Sequence, residues 1–412
     1  MSKLDELIEK LCPDGVEYRA LREIALMKRG TSITKKNVNE GSYPVVSGGR
    51  EPAYYCAMFN RQGETITVAG SGAGAGYVQY WDTPIFVCDA FSVNGTSLIS
   101  TKFLYYLLTN KQEAIYSTKK GGGVPHVHIS DIENFRIPVP PLEVQAEIVR
   151  ILDRFTELEK ELEKELELRR KQYEYYRDLL LDFRDVHAGG TNAYSVPWLA
   201  DMLHELCPDG VEYKTLGKVA VKISDGMHNL PKGIREFGKY PILSAQNINK
   251  GMIFTETSKW VNREIFEIEN RRTNVQKGDV LLTIVGAIGR TAVVEGELQA
   301  LFQRSICVIK PDIKLINSRY IAYCLDSTDI QNYMTSNAHG AAQKGLYLKQ
   351  VSEIKLPVPP LSVQQRIVDI LDRFDALCND LTSGLPAEIA LRRKQYEYYR
   401  DKLLNFKELK VS

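Results

Sequence analysis

Leu168-Arg-Arg-Lys-Gln-Tyr-Glu-Tyr-Tyr-Arg-Asp178 occurs a second time, residue for residue, as Leu391–Asp401, 223 positions later. Toward the N-terminus, Ile151-Leu-Asp-Arg-Phe155 returns as Ile370–Phe374 and Pro138-Val-Pro-Pro-Leu142 as Pro357–Leu361, both at an offset of 219. Leu11-Cys-Pro-Asp-Gly-Val-Glu-Tyr18 returns as Leu206–Tyr213 at an offset of 195. A period near 200 residues is far longer than a solenoid repeat, so the chain is a duplicated domain pair. The offsets step upward: the second globular interior is longer by 24 residues and the second helical region by 4.

The quoted stretches frame two long helices. Val-Pro-Pro stops a preceding element and places proline near a helix start. Apolar residues then fall at Ile148, Ile151/Leu152, Phe155, Leu158, Leu162 and Leu166, and again at Tyr173, Tyr176, Leu180 and Phe183. This three-and-four spacing is that of a coiled-coil seam. At 1.5 Å per residue the stretch from Leu142 to Phe183 spans roughly 60 Å. The second copy repeats the stripe at Ile367, Ile370/Leu371, Phe374, Leu377 and Leu381, then at Tyr396, Tyr399, Leu403 and Phe406. Ser383-Gly-Leu-Pro386 lies between, and internal Gly costs about 1 and Pro about 3 kcal/mol, which predicts a break near Gly384. The residues expected in the helix seam are Ile151, Phe155, Leu158, Leu162, Tyr173, Tyr176, Ile370, Phe374, Tyr396 and Tyr399. Matching seams predict that the helices pack antiparallel, with a gross gain of roughly 15–30 kcal/mol before entropy.

The expected fold class is therefore α+β: two mixed α/β domains separated by a pair of long antiparallel, coiled-coil-like helices, with an internal pseudo-two-fold. The predicted boundaries are a short helix over 1–11, a first domain over 12–137 and a first long helix over 138–186. A linker follows over 187–198, its joint at His187-Ala-Gly-Gly-Thr-Asn192. A short helix over 199–206, a second domain over 207–356 and a second long helix over 357–410, interrupted near 383–386, complete the chain.

Composition bounds the class. Hydrophobic residues at 44% and charged residues at 25% of 412 fit a soluble globular protein. Met1–Lys10 has no signal-peptide pattern, and the most apolar window, Val280–Gly289, is about half of a membrane span. The seven cysteines form no C-x-x-C pair, so neither a disulfide framework nor a zinc site is indicated. These points predict a cytoplasmic protein without membrane contact. Net charge is +1, but residues 207–355 carry 20 Lys/Arg against 15 Asp/Glu, while 138–187 carry 9 against 13. The globular parts are basic, an asymmetry compatible with DNA.

Catalytic signatures fail. Gly70-Ser-Gly-Ala-Gly-Ala-Gly76 lacks the spacing of a nucleotide loop and reads as a turn between strands. His126-x-His128 has no third ligand, and Pro311-Asp-Ile-Lys314 has no acidic partner, so no catalytic or metal residue is nominated. What remains is loop chemistry suited to DNA. Arg and Lys pair with guanine, Asn and Gln with adenine, and Gly-rich backbone amides meet phosphates. The candidate DNA-binding residues are Lys28, Arg29, Ser47, Gly48, Gly49, Arg50, Ser71, Lys119, Lys120 and His126 in the first domain. In the second they are His228, Ser244, Gln246, Asn247, Arg290, Gln303, Arg304, Gln343 and Lys344. At the 219 offset Gly121 aligns with Gly340 and His126 with Gly345.

The doubled P-V-P-P-L-x-V-Q (Pro138–Gln145, Pro357–Gln364), I-L-D-R-F and R-R-K-Q-Y-x-Y-Y-R-D together resemble the specificity (S) subunit of type I restriction–modification enzymes over essentially the whole chain. That resemblance implies two target-recognition domains, each reading one half of a split site in double-stranded DNA, with the helices as a ruler. It implies two methyltransferase (M) subunits docked on those helices and restriction (R) subunits in the full complex. It implies no catalysis and no cofactor in this chain, with S-adenosylmethionine, ATP and Mg belonging to the partners. The competing expectation is a coiled-coil protein-interaction adaptor without sequence-specific DNA binding.

Overall fold

A computed structural model describes residues 2–184, 191–249, 251–340, 344–380 and 382–409. Gln343, Leu381 and the 187–190 part of the expected joint lie outside the described residues. Two compact units emerge: residues 1–163 with 389–412, and residues 164–388. Each unit thus combines one globular domain with parts of both long helices.

In the first unit the strands are β1 (Glu17–Ala20), β2 (Ala25–Arg29), β3 (Tyr43–Val46), β4 (Tyr54–Cys56), β5 (Thr65–Ala69), β6 (Val78–Trp81), β7 (Phe86–Val87), β8 (Ala90–Gly95) and β9 (Arg136–Val139). They form an antiparallel sheet of order β2-β8-β5-β6, a smaller sheet β4-β3-β7 and the pair β1-β9. Within the smaller sheet β3 and β7 run parallel, Val45 opposite Phe86. All five side chains of β5 are buried. On one face lies the helix Thr101–Asn110, capped by the Ser100 hydroxyl. Its Phe103, Leu104 and Leu108 join Ile66 and Val68 in the core.

The second unit repeats this plan with β10 (Tyr213–Thr215), β11 (Ala220–Asp225), β12 (Tyr240–Leu243), β13 (Ile248–Asn249), β14 (Met252–Ile253), β15 (Trp260–Val261), β16 (Val280–Thr283), β17 (Thr291–Val293), β18 (Leu301–Phe302), β19 (Ile306–Pro311) and β20 (Lys355–Pro357). The orders β11-β19-β16-β17, β15-β12-β18 and β10-β20 copy those of the first unit strand for strand. The parallel pair also returns, with Ile242 opposite Leu301. Two insertions hold most of the surplus: 244–259 in place of 47–53, and 262–279 in place of 57–64. The first carries the β13–β14 hairpin and the second the helix Arg263–Glu269.

The first long helix runs Leu142–Leu181 without interruption. The second is in two pieces, Leu361–Asn379 and Leu385–Leu403. At the break, a Cβ on Gly384 would stand 2.5 Å from the Ala376 carbonyl oxygen, so the close turn admits only glycine.

Helix pairing is antiparallel within each unit. In the first, Phe155 stacks on Tyr399 at 5.5 Å and meets Tyr396 at 6.5 Å, while Arg393 pairs with Glu159 and Glu163. In the second, Tyr176 stacks on Phe374 at 5.7 Å. These are equivalent pairs from the two copies. The apolar stripe, however, is not one continuous helix–helix seam. Val144, Ile148 and Leu152 sink into the first globular core, as Val363, Ile367 and Leu371 do in the second. Ile151 and Tyr396 pack against the first core, and Ile370, Phe374 and the buried Tyr173 belong to the second. Leu162 is buried and Leu158 half-buried; Leu377 is exposed and Cys378 is buried beside it. The stripe therefore serves two partners, and the gain assigned to helix pairing alone is divided between them. Among the described residues no helix is long and apolar enough to cross a membrane.

Asn192, expected in the flexible joint, is instead tied down. It is buried, its side chain accepts from the Tyr194 amide at 3.0 Å and its own backbone amide donates to the Ser195 hydroxyl at 3.1 Å.

Candidate nucleic-acid interface

One glycine in each unit decides how the loops gather. Gly30 follows β2 and donates to the Ala90 carbonyl at 2.8 Å; a Cβ there would lie 2.2 Å from the Cys88 oxygen. Gly226 follows β11 and donates to Ile306 at 3.0 Å; its Cβ would lie 2.1 Å from the Phe302 oxygen. Only glycine allows this approach of backbone to backbone.

From that turn the first unit's loops are stitched together. Thr31 donates to Val87 and Cys88 to Val46, joining the end of β2 to the start of the 47–50 loop. A Cβ on Gly48 would stand 2.1 Å from the Ser71 oxygen, so the 47–50 and 70–76 loops lie in contact. Ser71 bonds the Asp89 carboxylate and pairs with His126 as a bridge, while Val127 donates to Gly70 at 3.0 Å. Lys120 and His126 exchange both backbone bonds, at 3.0 and 2.8 Å. Ser47, Gly48, Gly49, Arg50, Ser71, Lys120 and His126 thus share one end of the unit, with Lys28 and Arg29 exposed on the adjoining edge strand.

Their charges are not equally free. Lys120 pairs with the nearly buried Asp131, Lys119 lies 3.9 Å over the Tyr116 ring, and the Arg50 guanidinium stands 5.0 Å from the Tyr77 ring. Arg61, which the sequence did not single out, donates to the carbonyls of Lys28 and Arg29 at 3.2 and 2.9 Å and to the Ser92 hydroxyl at 2.7 Å. Burial lowers its pKa. It braces the strand that carries Lys28 and Arg29 and adds positive charge beneath them.

The second unit gathers its loops through the same backbone links. Met227 donates to Phe302 at 2.7 Å, Arg304 to Met227 at 2.9 Å and Gln303 to Leu243 at 2.8 Å. Gly345 and His339 exchange bonds at 2.8 and 2.9 Å, the counterparts of His126 and Lys120, and Leu346 donates to Ile284 as Val127 does to Gly70. Gly286 donates to the Lys344 carbonyl at 3.3 Å. His228, Ser244, Gln246, Gln303, Arg304 and Lys344 therefore fall at one end, with His228, Gln246, Arg304 and Lys344 exposed.

Two nominated residues are placed otherwise. Asn247 is buried: its carbonyl oxygen accepts from the Ser244 amide at 2.9 Å, and its nitrogen donates to Phe254 and Glu256 at 3.0 and 2.9 Å. With its amide fully committed it is a brace for the 244–259 insertion, not a reader of adenine. Arg290 is exposed, but its guanidinium donates to the Ile248 carbonyl at 3.3 Å and lines a cavity of about 310 Å³ beside Tyr173, Arg177 and Arg319. Conversely, Arg272 and Asp225 meet beside His228; sequence comparison of the copies could not index Arg272, because its insertion has no counterpart. The His126 and His128 rings lie 6.0 Å apart, and among the described residues no three His, Cys, Asp or Glu gather as a metal site.

The family model for the type I restriction modification DNA specificity domain matches twice, over residues 13–168 and 208–391. A Haemophilus influenzae protein named as a type I restriction enzyme specificity subunit is 30% identical, covering 97% of this chain and 98% of its own length. The EcoR124I/EcoR124II specificity subunit of Escherichia coli is 30% identical over 74% of this chain and 70% of its own. In fold, the chain is similar to the type I S subunit from M. genitalium, with a TM-score of 0.59 at 21% identity, covering 95% and 96% of the two chains. Doubled sheets, doubled loop clusters and a doubled family match agree, and the chain belongs to the family of type I restriction–modification DNA specificity subunits.

Proposed function

We propose that each unit of this chain reads one half of a bipartite, gapped site in double-stranded DNA, and that the long helices set the gap. Specificity subunits of type I systems are non-catalytic. The observation that carries the reading is the contrast between frame and loops. Strand orders, glycine turns and backbone links are the same in both units, whereas the side chains at the loop ends differ. Arg29 stands where Asp225 does, Ser32 where His228 does, and Gly48–Arg50 faces Ala245–Asn247. A device that reads two different half-sites needs a shared scaffold and private readers; phosphate contacts position it and base edges specify the sequence.

The helices also present matched exposed residues, Leu168 and Tyr175 in one copy and Leu391 and Tyr398 in the other. Each pair is seven residues apart, two helical turns on one face. Exposed apolar residues repeated in register suit one kind of partner bound twice, and we assign these faces to two methyltransferase subunits, with restriction subunits joining the full complex. S-adenosylmethionine, ATP and Mg belong to those partners, and the assembly works in the cytoplasm. Adenine-methylation mapping in cells that carry this chain with its methyltransferase subunits tests the reading. A motif of two defined blocks at a fixed spacing is expected; the absence of any chain-dependent motif would overturn it.

A further inference from the structure

We propose that Arg272 is a base-reading side chain of the second unit, aimed at a guanine by the buried carboxylate of Asp225. The inference rests on the reading that the loops at this end face DNA. Asp225 closes β11 and is 8% exposed. One carboxylate oxygen accepts from Arg272 Nη2, and the other is 2.7 Å from His228 Nε2. The Asp225 carbonyl accepts from Arg272 Nε at 2.9 Å.

This clamp leaves a defined edge free. A guanidinium carries five N–H donors in a rigid fork. With Nε and Nη2 held by Asp225, and Nη2 also 3.1 Å from His228 Nε2, the two Nη1 protons remain on the outer side. Those protons can donate to the O6 and N7 acceptors of guanine. The side chain of Arg272 is 47% exposed although doubly held, and an arginine already fixed loses less freedom on docking than a mobile one.

The backbone is held as well. Lys222 Nζ donates to the Arg272 carbonyl at 2.7 Å. Two residues on, Asn274 has a φ of 42°, a left-handed turn that asparagine tolerates. His228 lies two residues beyond the Gly226 turn, and Met227 is bridged to Gln303, so Arg272 joins the cluster of His228, Gln303 and Arg304. The first unit has neither the insertion nor the carboxylate, and the effect is confined to one half-site.

The plain alternative is that Asp225 and Arg272 only fasten the insertion to the sheet. The full chain with its methyltransferase subunits separates the two, by methylation mapping of the wild type, R272A, R272K and D225N, with thermal melting of each purified chain. Expected in R272A and R272K is a loss of discrimination of about ten- to a hundredfold at one G·C position of one half-site, the other half and the gap being kept. R272K retains charge and ion pair and should melt with the wild type; D225N should relax the same position more weakly. An unchanged motif in R272K, relaxation in both halves, or a uniform loss across all sequences, which marks a phosphate contact, would overturn the proposal. A wild-type chain directing no gapped motif would count against the functional reading itself.

Discussion

The phenol of Tyr323 donates a hydrogen bond to Asp372, and the phenol of Tyr106 donates to Asp153. Each carboxylate also meets a cation, Arg319 at 2.7 Å and Lys102 at 3.4 Å. The aspartate of the doubled I-L-D-R-F thereby fastens each globular helix to its long helix. Burial raises both phenols' pKa, so they stay protonated and able to donate. Y323F should cost about 1 kcal/mol, the net worth of one hydrogen bond. D372A should cost about 2–3 kcal/mol, because it removes the acceptor of the phenol and one of the two carboxylates that pair with the partly buried Arg319, leaving it only Glu295. Urea denaturation of the full chain checks this; equal costs for the two would contradict it.

Gln145 and Gln364 give a second prediction. Both are fully buried. Gln145 accepts from the Ser100 amide at 2.9 Å and donates to the Leu98 and Pro140 carbonyls at 2.9 and 2.8 Å. Gln364 repeats the set with Asn317, Leu315 and Pro359 at 2.8, 3.0 and 2.7 Å. In Q145E a protonated carboxyl could still donate to one carbonyl, whereas the ionised form would face two carbonyl oxygens. The introduced group should be held above the ordinary carboxylate value when folded, so the variant should lose stability as pH rises through about 4 to 7. Melting temperatures across that range, read against Q145A, decide; a loss independent of pH would refute the clamp.

A natural carboxyl behaves the same way. Burial raises Asp326 to about 7, with Asp375 adding to the rise and the Thr291 hydroxyl and Arg177 opposing it. The unfolded value is about 3.9, so the folded state holds this proton more tightly. That stabilisation is full below the unfolded value and is lost as pH climbs from about 4 to 7. D326N should flatten that part of the stability profile and, at pH 8, stabilise the chain by about 1–3 kcal/mol. The first unit has Thr109 and Thr156 at the positions of Asp326 and Asp375, so T109V should leave the profile's shape unchanged. Stability against pH by urea titration is the measurement; a D326N profile parallel to the wild type would contradict it.

What the sequence disclosed, and what it hid, follows from which comparisons it permits. Repeated motifs expose the duplication, and periodicity exposes the helices, down to the turn at Gly384. Gly-rich loops at matched offsets expose the link that joins Lys120 to His126 and His339 to Gly345. Strand order is long-range and leaves no such trace. Whether a polar loop residue faces out or in is hidden too: Asn247 and Gln246 look alike in sequence, yet one braces the chain and the other is exposed. Arg272 lies in an insertion with nothing to compare it with. Ile148 and Leu152 share the helical period with Phe155 but turn to the first globular core, because a stripe records that a face is buried and not by what.

The spacer gives a further prediction. Removing Glu161–Lys164 shortens the first helix by about 6 Å, which at 3.4 Å per base step is roughly two base pairs. Methylation mapping of this deletion should return the same half-sites with a shorter gap; an unaltered gap would show that this helix is not the ruler.

The central claim is that each unit reads its own half-site, and exchange of residues 12–137 for the corresponding domain of another specificity subunit tests it most directly. Methylation mapping of the chimera should show one half of the motif replaced and the other half retained with its gap. Replacement of both halves, or of neither, would contradict the account.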